Sequence, residues 1–309
     1  MNKSILIVDD LHPAFKDRAV TLGFEVTDLP NITLAETMDI IGEFDGLAVR
    51  TKFNIDKELM DAAPNLKFIA RAGAGMDNID ETYAAERGIH LINAPEGNQD
   101  AVGEHAIGML LALMNNFRVA DKEIRQGMWD RNSNRGYGLK GKTVGVIGYG
   151  FMGQSFARKL AGFEVNVLAY DKYKTGFSDK FVTEASMEEI VKHSDVLSLH
   201  IPLTKETRQL VDQEYLFHFK KPIFLINTAR GEMVNTGAVL SAIEQGRILG
   251  AGLDVLEVEK FPSMAGQSWF KELITSKKVL LTPHVAGWTF DSYRKISEVL
   301  ADKLQKIAF

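Results

Sequence analysis

The stretch 143–171 constrains the fold more than any other part of the chain. It reads Thr-Val-Gly-Val-Ile-Gly-Tyr-Gly-Phe-Met-Gly-Gln-Ser-Phe-Ala-Arg-Lys-Leu and runs on to Val-Leu-Ala-Tyr-Asp. Val144–Ile147 is an apolar run fit for a buried strand, and Gly148, Gly150 and Gly153 follow with the spacing G-x-G-x-x-G. A helical pattern over Ser155–Leu160 comes next, and a second strand, Val165–Tyr170, ends in Asp171. Gly148 allows a tight turn, Gly150 lets the backbone approach a pyrophosphate, and Gly153 lets the helix pack on the strand. The helix N-terminus offers free N–H groups and a partial positive charge to the anion. A carboxylate at Asp171 accepts hydrogen bonds from both hydroxyls of an adenosine ribose and repels a 2′-phosphate, which favours NAD over NADP. Lys172 and Lys174, just beyond it, act against that preference. The glycine pattern alone has low specificity; the strand before it, the helix after it and the acid closing the next strand make it a dinucleotide signature.

With 309 residues the chain is long enough for about two domains. A net charge of −5 gives no electrostatic basis for a nucleic-acid partner. Cysteine is absent, which excludes disulfides, thiolate catalysis and cysteine-ligated zinc. The first apolar run, Ile5–Val8, is cut off by Asp9 and Asp10, so it is a strand rather than a targeting segment. The longest apolar stretch, around Ala106–Met114, is too short and too glycine-interrupted to span a bilayer. No membrane partner is expected, and the cytoplasm is the expected compartment.

Strand and helix signals alternate along residues 1–97. Strands are expected at Ile5–Val8, Glu25–Asp28, Gly46–Arg50, Leu66–Ala70 and His90–Asn93, with helices at Pro13–Leu22, Leu34–Ile41 and Ile79–Arg87. This βαβα order predicts a doubly wound parallel sheet, with ligands at the carboxyl ends of its strands. Arg50 follows one strand, and Arg71-Ala72-Gly73-Ala74-Gly75 follows another. Consecutive N–H groups around Ala74 and Gly75, beside two arginines, would form a small anion nest, although a plain turn fits the same residues. A single helix is expected over Gln99–Gln126. Its apolar face (Ala106, Met109, Leu110, Leu113, Met114, Phe117) suits a core position and suits a subunit interface equally.

The remainder repeats the α/β alternation. Strands are expected at Val196–His200, Ile223–Ile226, Ile248–Leu256 and Val279–Thr282, and a tail helix over Asp291–Ala308. Three strand ends carry Arg230, Glu259 and His284. In a doubly wound sheet they share an edge with the glycine turn. Hydride transfer to a carbonyl needs an acid for the oxygen and a fixed cation for the substrate's carboxylate. His284 suits the acid/base role, a carboxylate at Glu259 would fix its tautomer, and Arg230 offers a planar fork. Spacing alone does not choose Glu259 over Glu257. His105 reads as a mid-helix position and His200 as packing. No histidine pair has metal-ligand spacing, so no metal is expected.

Further runs carry a family resemblance: Arg-Ala-Gly-Ala-Gly-Met-Asp-Asn-Ile-Asp at 71–80, Val-Gly-Glu-His at 102–105, His-Ile-Pro-Leu-Thr at 200–204, Asn-Thr-Ala-Arg-Gly at 227–231, Gly-Leu-Asp-Val at 252–255 and Thr-Pro-His-Val-Ala-Gly at 282–287. With the glycine turn they make the chain resemble the D-isomer-specific 2-hydroxyacid dehydrogenases. The resemblance implies a Rossmann NAD-binding domain (98–284) inserted into a flavodoxin-like substrate domain (1–97 plus 285–309). It implies His284 as the acid/base, Glu259 as its partner and Arg230 as the substrate-binding arginine. It implies a carboxylate site at Arg50, Ala74 and Gly75, shared with Arg230 and His284. Phe151 and Met152 would lie against the pyrophosphate. Asp254, Thr228 and Ala229 would hold the nicotinamide amide, with Ile201, Arg230, His284 and Gly287 also on the cofactor. A two-fold homodimer through the 99–120 helix and a short form without a regulatory domain are implied as well. The first substrate expected is 3-phosphoglycerate, because Arg50, Lys52 and Arg71 could serve a doubly anionic acid; glyoxylate, hydroxypyruvate or a D-lactate-type acid is the alternative. A remote alternative is an NADH-sensing binding scaffold. The sequence departs from the family pattern at Lys260, where proline is usual, at Gly103, and at Trp288, a bulky residue beside the expected site.

Overall fold

The computed structural model describes residues 3–307. The chain divides into two compact units, Met1–Gln99 with Trp288–Phe309, and Asp100–Gly287. In chain order the elements begin β1 (Lys3–Ile7), α1 (Ala14–Thr21), β2 (Phe24–Asp28), α2 (Leu34–Ile40), β3 (Gly46–Val49), α3 (Lys57–Asp61), β4 (Phe68–Arg71), α4 (Glu81–Glu86) and β5 (His90–Asn93). They continue α5 (Pro95–Met114), α6 (Phe117–Arg125), β6 (Thr143–Ile147), α7 (Phe151–Leu160), β7 (Asn166–Tyr170), β8 (Thr183–Glu184), α8 (Met187–His193) and β9 (Val196–Leu199). The last are α9 (Gln213–His218), β10 (Ile223–Asn227), α10 (Thr236–Glu244), β11 (Ile248–Leu253), α11 (Phe270–Thr275), β12 (Val279–Leu281) and α12 (Phe290–Leu304).

The first unit holds a five-stranded sheet, wholly parallel, in the order β2-β1-β3-β4-β5. This is the flavodoxin-like order. A parallel sheet is covered on both faces, so its strands need apolar residues at every position. Ile5, Leu6, Ile7 and Val8 meet that need, with none more than 1% exposed. Strand alternation sends Ile5 and Ile7 to the core with Phe15 and Ala19 of α1 and Ile296 and Leu300 of α12. Leu6 and Val8 face the other way, toward Ile41, Leu59 and Met60.

The second unit is a seven-stranded parallel sheet, β12-β11-β10-β9-β6-β7-β8. Counted from β6, this is the Rossmann order with one further strand at the outer edge. The order reverses between β6 and β9, and that crevice is where such sheets bind ligands. One face packs α5 and α7 through Ala106, Met109, Leu110, Phe156 and Leu160; the other packs α8, α9 and α10. Among the described residues no helix is long and apolar enough to cross a membrane.

Local chemistry accounts for most helix starts. Thr33, Asp56, Asp80, Ser186, Asp212, Asn235 and Thr289 each cap a helix by accepting an N–H from its first turn. The helix expected over Gln99–Gln126 is instead two helices. It starts earlier, at Pro95, because proline lacks the N–H that a first helical position leaves unused. It breaks at Asn115-Asn116, where Asn116 takes φ +55°, a conformation asparagine tolerates. The freed Met114 carbonyl accepts the Tyr137 N–H at 2.8 Å. The apolar face of α5 is spent within the core of its own unit, leaving only Phe117 of the expected face strongly exposed. The strand expected over Ile248–Leu256 stops at Leu253, because Asp254 turns inward. Two short helices, α3 and α11, and the two-residue β8 carry no periodic signal. The tail helix ends at Leu304, and Ala308, where it was expected to end, lies outside the described residues.

Candidate active site

The glycine turn is built by close approach. Gly148 has φ +94°, and a Cβ on it would stand 2.5 Å from the His200 carbonyl oxygen and 2.7 Å from the Ile201 side chain. A Cβ on Gly153 would stand 2.0 Å from the Gly148 oxygen, so α7 reaches the strand only through glycine. Gly150 caps α7 without any side-chain acceptor, and the space beside it is open to 4 Å. The first-turn N–H groups of α7 are therefore free of side-chain caps, while Phe151 is 46% exposed at its mouth. Met152, next to it, is partly buried.

Asp171 ties this turn to the end of β7. Its Oδ2 accepts the Tyr149 N–H at 2.9 Å and its Oδ1 accepts the Tyr173 N–H at 3.0 Å. Each oxygen keeps a lone pair for a ribose hydroxyl. The nearby lysines are engaged elsewhere: Lys174 donates to the Tyr149 carbonyl at 2.8 Å, and Lys172 pairs with Glu206. A 2′-phosphate would meet the Asp171 carboxylate with neither lysine free, so this edge suits NAD. His200, beside the turn, is partly buried and Nε2 lies 2.8 Å from the Ser198 hydroxyl; loss of solvent around the ring pushes its pKa down to about 3. It stays neutral and packs on Phe156.

The ends of β10, β11 and β12 lie on the same edge of this parallel sheet. Asn227 accepts the Ala229 N–H at 3.0 Å and donates to the Arg230 carbonyl at 2.9 Å, which shapes the 227–231 turn. A Cβ on Gly231 would stand 1.9 Å from the Leu256 oxygen, so the following segment is pressed against this turn. Within it the Thr228 hydroxyl oxygen is buried with no hydrogen-bond partner. Such an orphan fits a ligand group that would complete it. Arg230 donates to the Ala229 carbonyl at 2.6 Å.

His284 follows β12 at φ +54°. Its N–H donates to the Asp254 carbonyl at 2.7 Å. Its Nδ1 lies 2.9 Å from Glu259 Oε2, and both side chains are about half exposed. A carboxylate only accepts, so Nδ1 carries the proton and Nε2 is left for exchange. The hydrogen bond that Nδ1–H donates to Glu259 raises the His284 pKa; burial and Arg230 oppose it, and the charges of Glu259 and Asp254 reinforce it. Glu257 is occupied otherwise, accepting the Thr236 N–H at 2.7 Å and the Gln209 amide at 3.0 Å. Of the two glutamates, Glu259 is the one in contact with His284.

Asp254, expected against the nicotinamide, is 1% exposed. It accepts N–H groups of Val285 and Ala286 at 2.9 Å each and the Thr282 hydroxyl, leaving one lone pair on Oδ2. Gly287 ends this turn and the unit. One member of the cluster escaped sequence reasoning: His105 of α5, whose Nε2 lies 3.0 Å from the Thr282 hydroxyl and 3.6 Å from Asp254. Helical spacing puts it on the face of the buried Ala101 and Met109, and a polar residue on an apolar face was the available signal.

In the first unit the expected residues lie at the ends of neighbouring strands, β3 and β4. Asp9 accepts the N–H groups of Arg50, Thr51 and Lys52 at 3.0, 2.9 and 2.9 Å, which fixes the turn after β3. The Arg50 guanidinium lies 3.7 Å over the Trp288 ring and makes no hydrogen bond or ion pair among the described residues. After β4, Asn93 donates to the Ala74 carbonyl at 2.7 Å, while the N–H groups of Ala74 and Gly75 meet no acceptor among the described residues. Among the described residues no cluster of three or more His, Cys, Asp or Glu could hold a metal ion.

Residues 107–286 match the family model described as "D-isomer specific 2-hydroxyacid dehydrogenase, NAD binding domain". The chain belongs to this family. Its cofactor is NAD, and it is an oxidoreductase acting on CH–OH groups. Hydroxypyruvate reductase of Thermotoga maritima is 35% identical over 88% of this chain and 87% of its own length. D-3-phosphoglycerate dehydrogenase of Archaeoglobus fulgidus is 33% identical over 98% of this chain, which spans 57% of that longer relative. The solved D-lactate dehydrogenase of Aquifex aeolicus, complexed with NAD and lactic acid, is 28% identical with a TM-score of 0.82, covering 98% of this chain and 94% of that one. Membership of the D-2-hydroxyacid dehydrogenases leaves the acid itself to be argued from the residues.

Proposed function

We propose that this dehydrogenase interconverts a small 2-keto acid and its D-2-hydroxy acid, with glyoxylate and hydroxypyruvate as the preferred keto substrates. The observation that carries the acid–base reading is the 2.9 Å contact between His284 Nδ1 and Glu259 on the sheet edge of the glycine turn. The cofactor residues are Gly148, Gly150, Phe151, Met152, Gly153, Asp171, Ile201, Thr228 and Ala229, with Asp254, Arg230, His284 and Gly287 beyond them. NADH, when bound, supplies the hydride that reaches C2 of the keto acid. His284 Nε2 gives its proton to the carbonyl oxygen, so the products are the neutral imidazole and the hydroxyl. Glu259 holds Nδ1–H throughout and stabilises the imidazolium before transfer. Arg230 polarises the carbonyl and stabilises the charge that develops on its oxygen.

The substrate reading rests on the cations of the first unit. Of the three expected to serve a doubly anionic acid, Lys52 donates to the Pro30 carbonyl at 2.7 Å, and the Arg71 guanidinium lies against Gly73. The Arg50 guanidinium makes no hydrogen bond or ion pair among the described residues, and one guanidinium with the Ala74 and Gly75 N–H groups matches one carboxylate. This favours a monoanionic acid over 3-phosphoglycerate, although the Archaeoglobus relative keeps the latter as a second reading. The test is NADH oxidation with glyoxylate, hydroxypyruvate, pyruvate and 3-phosphohydroxypyruvate. The highest kcat/KM is expected with one of the first two, and preference for the phosphorylated acid would overturn the substrate reading. We also propose a homodimer. Exposed Phe117, Ile124, Met128 and Trp129 supply its apolar surface in place of the buried face of α5. Light scattering that shows a monomer at micromolar concentration would remove this part.

A further inference from the structure

The turn that presents His284 is held from behind by polar side chains that the proton transfer itself does not touch. The Asp254 carboxylate accepts the N–H groups of Val285 and Ala286, both at 2.9 Å, and the Thr282 hydroxyl. A hydroxyl has one proton, and Asp254 has only lone pairs to offer it. Thr282 therefore donates to Asp254 and must accept from His105, whose Nε2 is 3.0 Å away. The proton on His105 is thereby assigned to Nε2. The direction of the whole chain follows: His105 donates to Thr282, Thr282 donates to Asp254, and Asp254 receives the turn.

The turn needs such support. His284 has φ +54°, a conformation that non-glycine residues keep only where the surroundings over-determine it. Its own N–H donates to the Asp254 carbonyl at 2.7 Å, so both ends of Asp254 grip it. His105 enters from α5, far away in sequence, between the buried Ala101 and Met109. An apolar side chain there would fill the same space at no polar cost. The ring nitrogen is instead aimed at the Thr282 hydroxyl at 3.0 Å, with the Asp254 carboxylate 3.6 Å away.

We propose that His105 and Thr282 are positioning residues for the reaction: they lock the Asp254 carboxylate, and through it the turn that aims His284. This rests on His284 being the acid, and the two readings fail separately. His284→Ala at the wild-type rate would remove both. A slow His284→Ala beside a His105→Phe enzyme at the wild-type rate would remove only the positioning role.

The experiment uses the full chain with NADH and hydroxypyruvate. His105→Phe keeps a ring and loses the donor, whereas His105→Gln keeps an N–H at similar reach. Thr282→Val keeps the shape and loses the hydroxyl, whereas Thr282→Ser keeps it. A misaimed reacting group costs one to two orders of magnitude, so His105→Phe and Thr282→Val should lower kcat at least ~10-fold. Gln and Ser should recover to within about 3-fold of wild type, on the scale of a single neutral hydrogen bond.

The pH profile separates aim from mere stability. The charged groups facing His284 are Glu259, Arg230 and Asp254. If the Asp254 carboxylate drifts, its support for the imidazolium weakens while Glu259 stays, and the alkaline limb of keto-acid reduction moves to lower pH. Loss of stability alone leaves that limb in place. An unmoved limb, or Gln no better than Phe and Ser no better than Val, would overturn the proposal. If His105→Phe does not fold, the Thr282→Val and Thr282→Ser pair carries the test.

Discussion

After β11 and β12 the Glu259, His284 and Asp254 side chains have hydrogen-bond partners in the protein; after β3 and β4 the Arg50 guanidinium and the Ala74 and Gly75 N–H groups have none among the described residues. In the second unit Glu259 sits 2.9 Å from His284, and the Asp254 carboxylate takes up two backbone N–H groups. In the first unit the N–H groups of Ala74 and Gly75 and the guanidinium of Arg50 have no acceptor among the described residues. The difference is chemical. A proton donor works only if its tautomer and direction are fixed beforehand, which takes a permanent partner. A receptor for an anion works only if its donors are unmet until the anion arrives. Two sheets of the same architecture thus carry a reactive set and a recognition set, and the two should respond differently to mutation.

The largest effect belongs to the reactive set. His284→Ala should lower kcat/KM at least ~100-fold, the scale of a lost general acid. Glu259→Gln should lower it about 10-fold, because the amide can still hold the ring but cannot stabilise its charge. KM for the keto acid should change little in either. Steady-state kinetics with hydroxypyruvate checks this. A variant that loses affinity while keeping its turnover would erase the distinction between the sets.

The charge on His284 gives the next effect. The hydrogen bond donated to Glu259 raises the folded pKa above the ordinary histidine value of 6.5. Reduction needs the protonated ring, so the rate is full below that pKa and falls as pH rises through it, about tenfold per unit beyond the midpoint. The midpoint should lie above 6.5, and in Glu259→Gln it should move down. A midpoint at or below 6.5 in the wild-type enzyme would mean that burial and Arg230 outweigh Glu259.

The recognition set should show the opposite signature. Arg50→Ala removes an unpaired cation and should raise KM for the keto acid about 10-fold, the scale of a charge-assisted hydrogen bond, with kcat within about 2-fold. Equal losses in kcat would place Arg50 with the reactive residues.

Sequence reading reached some of these features and missed others for identifiable reasons. The strand–turn–helix unit was legible because Gly148 and Gly153 answer to local backbone contacts, which sequence spacing encodes. The parallel sheets were legible because burial on both faces demands runs such as Ile5–Val8. The break at Asn116 was hidden because apolar periodicity continues across it to Phe117, and the Tyr137 N–H that takes the Met114 carbonyl is far along the chain. Glu257 and Glu259 differ by two positions, and only the partners of Glu257, Thr236 and Gln209, tell them apart. His105 reads in the sequence as a mid-helix position because its partner Thr282 comes from another strand end. Lys52 reads as a substrate cation because charge is visible in a sequence, whereas its bond to the Pro30 carbonyl is not.

The smallest effect tests whether the recognition set has any preorganisation of its own. The Arg50 guanidinium carbon lies 3.7 Å over the Trp288 ring centroid, and Trp288 is braced edge-on by Tyr293 at 5.1 Å. Tyr293 is fixed in turn by its bond to Asp10 at 2.7 Å. Stacking uses the face of the guanidinium and leaves its N–H edges open, so it sets direction without satisfying a donor. A partly exposed cation–π contact is worth about 0.5–1 kcal/mol, which corresponds to a factor of about 2–5 in affinity. Trp288→Leu should therefore raise KM for the keto acid about 2–5-fold, less than Arg50→Ala, and leave kcat unchanged. The Arg50→Ala, Trp288→Leu double variant should be no worse than Arg50→Ala alone, because the tryptophan acts through the arginine. Additive losses would mean that Trp288 meets the substrate itself, and the first unit would then recognise the side group of the acid as well as its carboxylate.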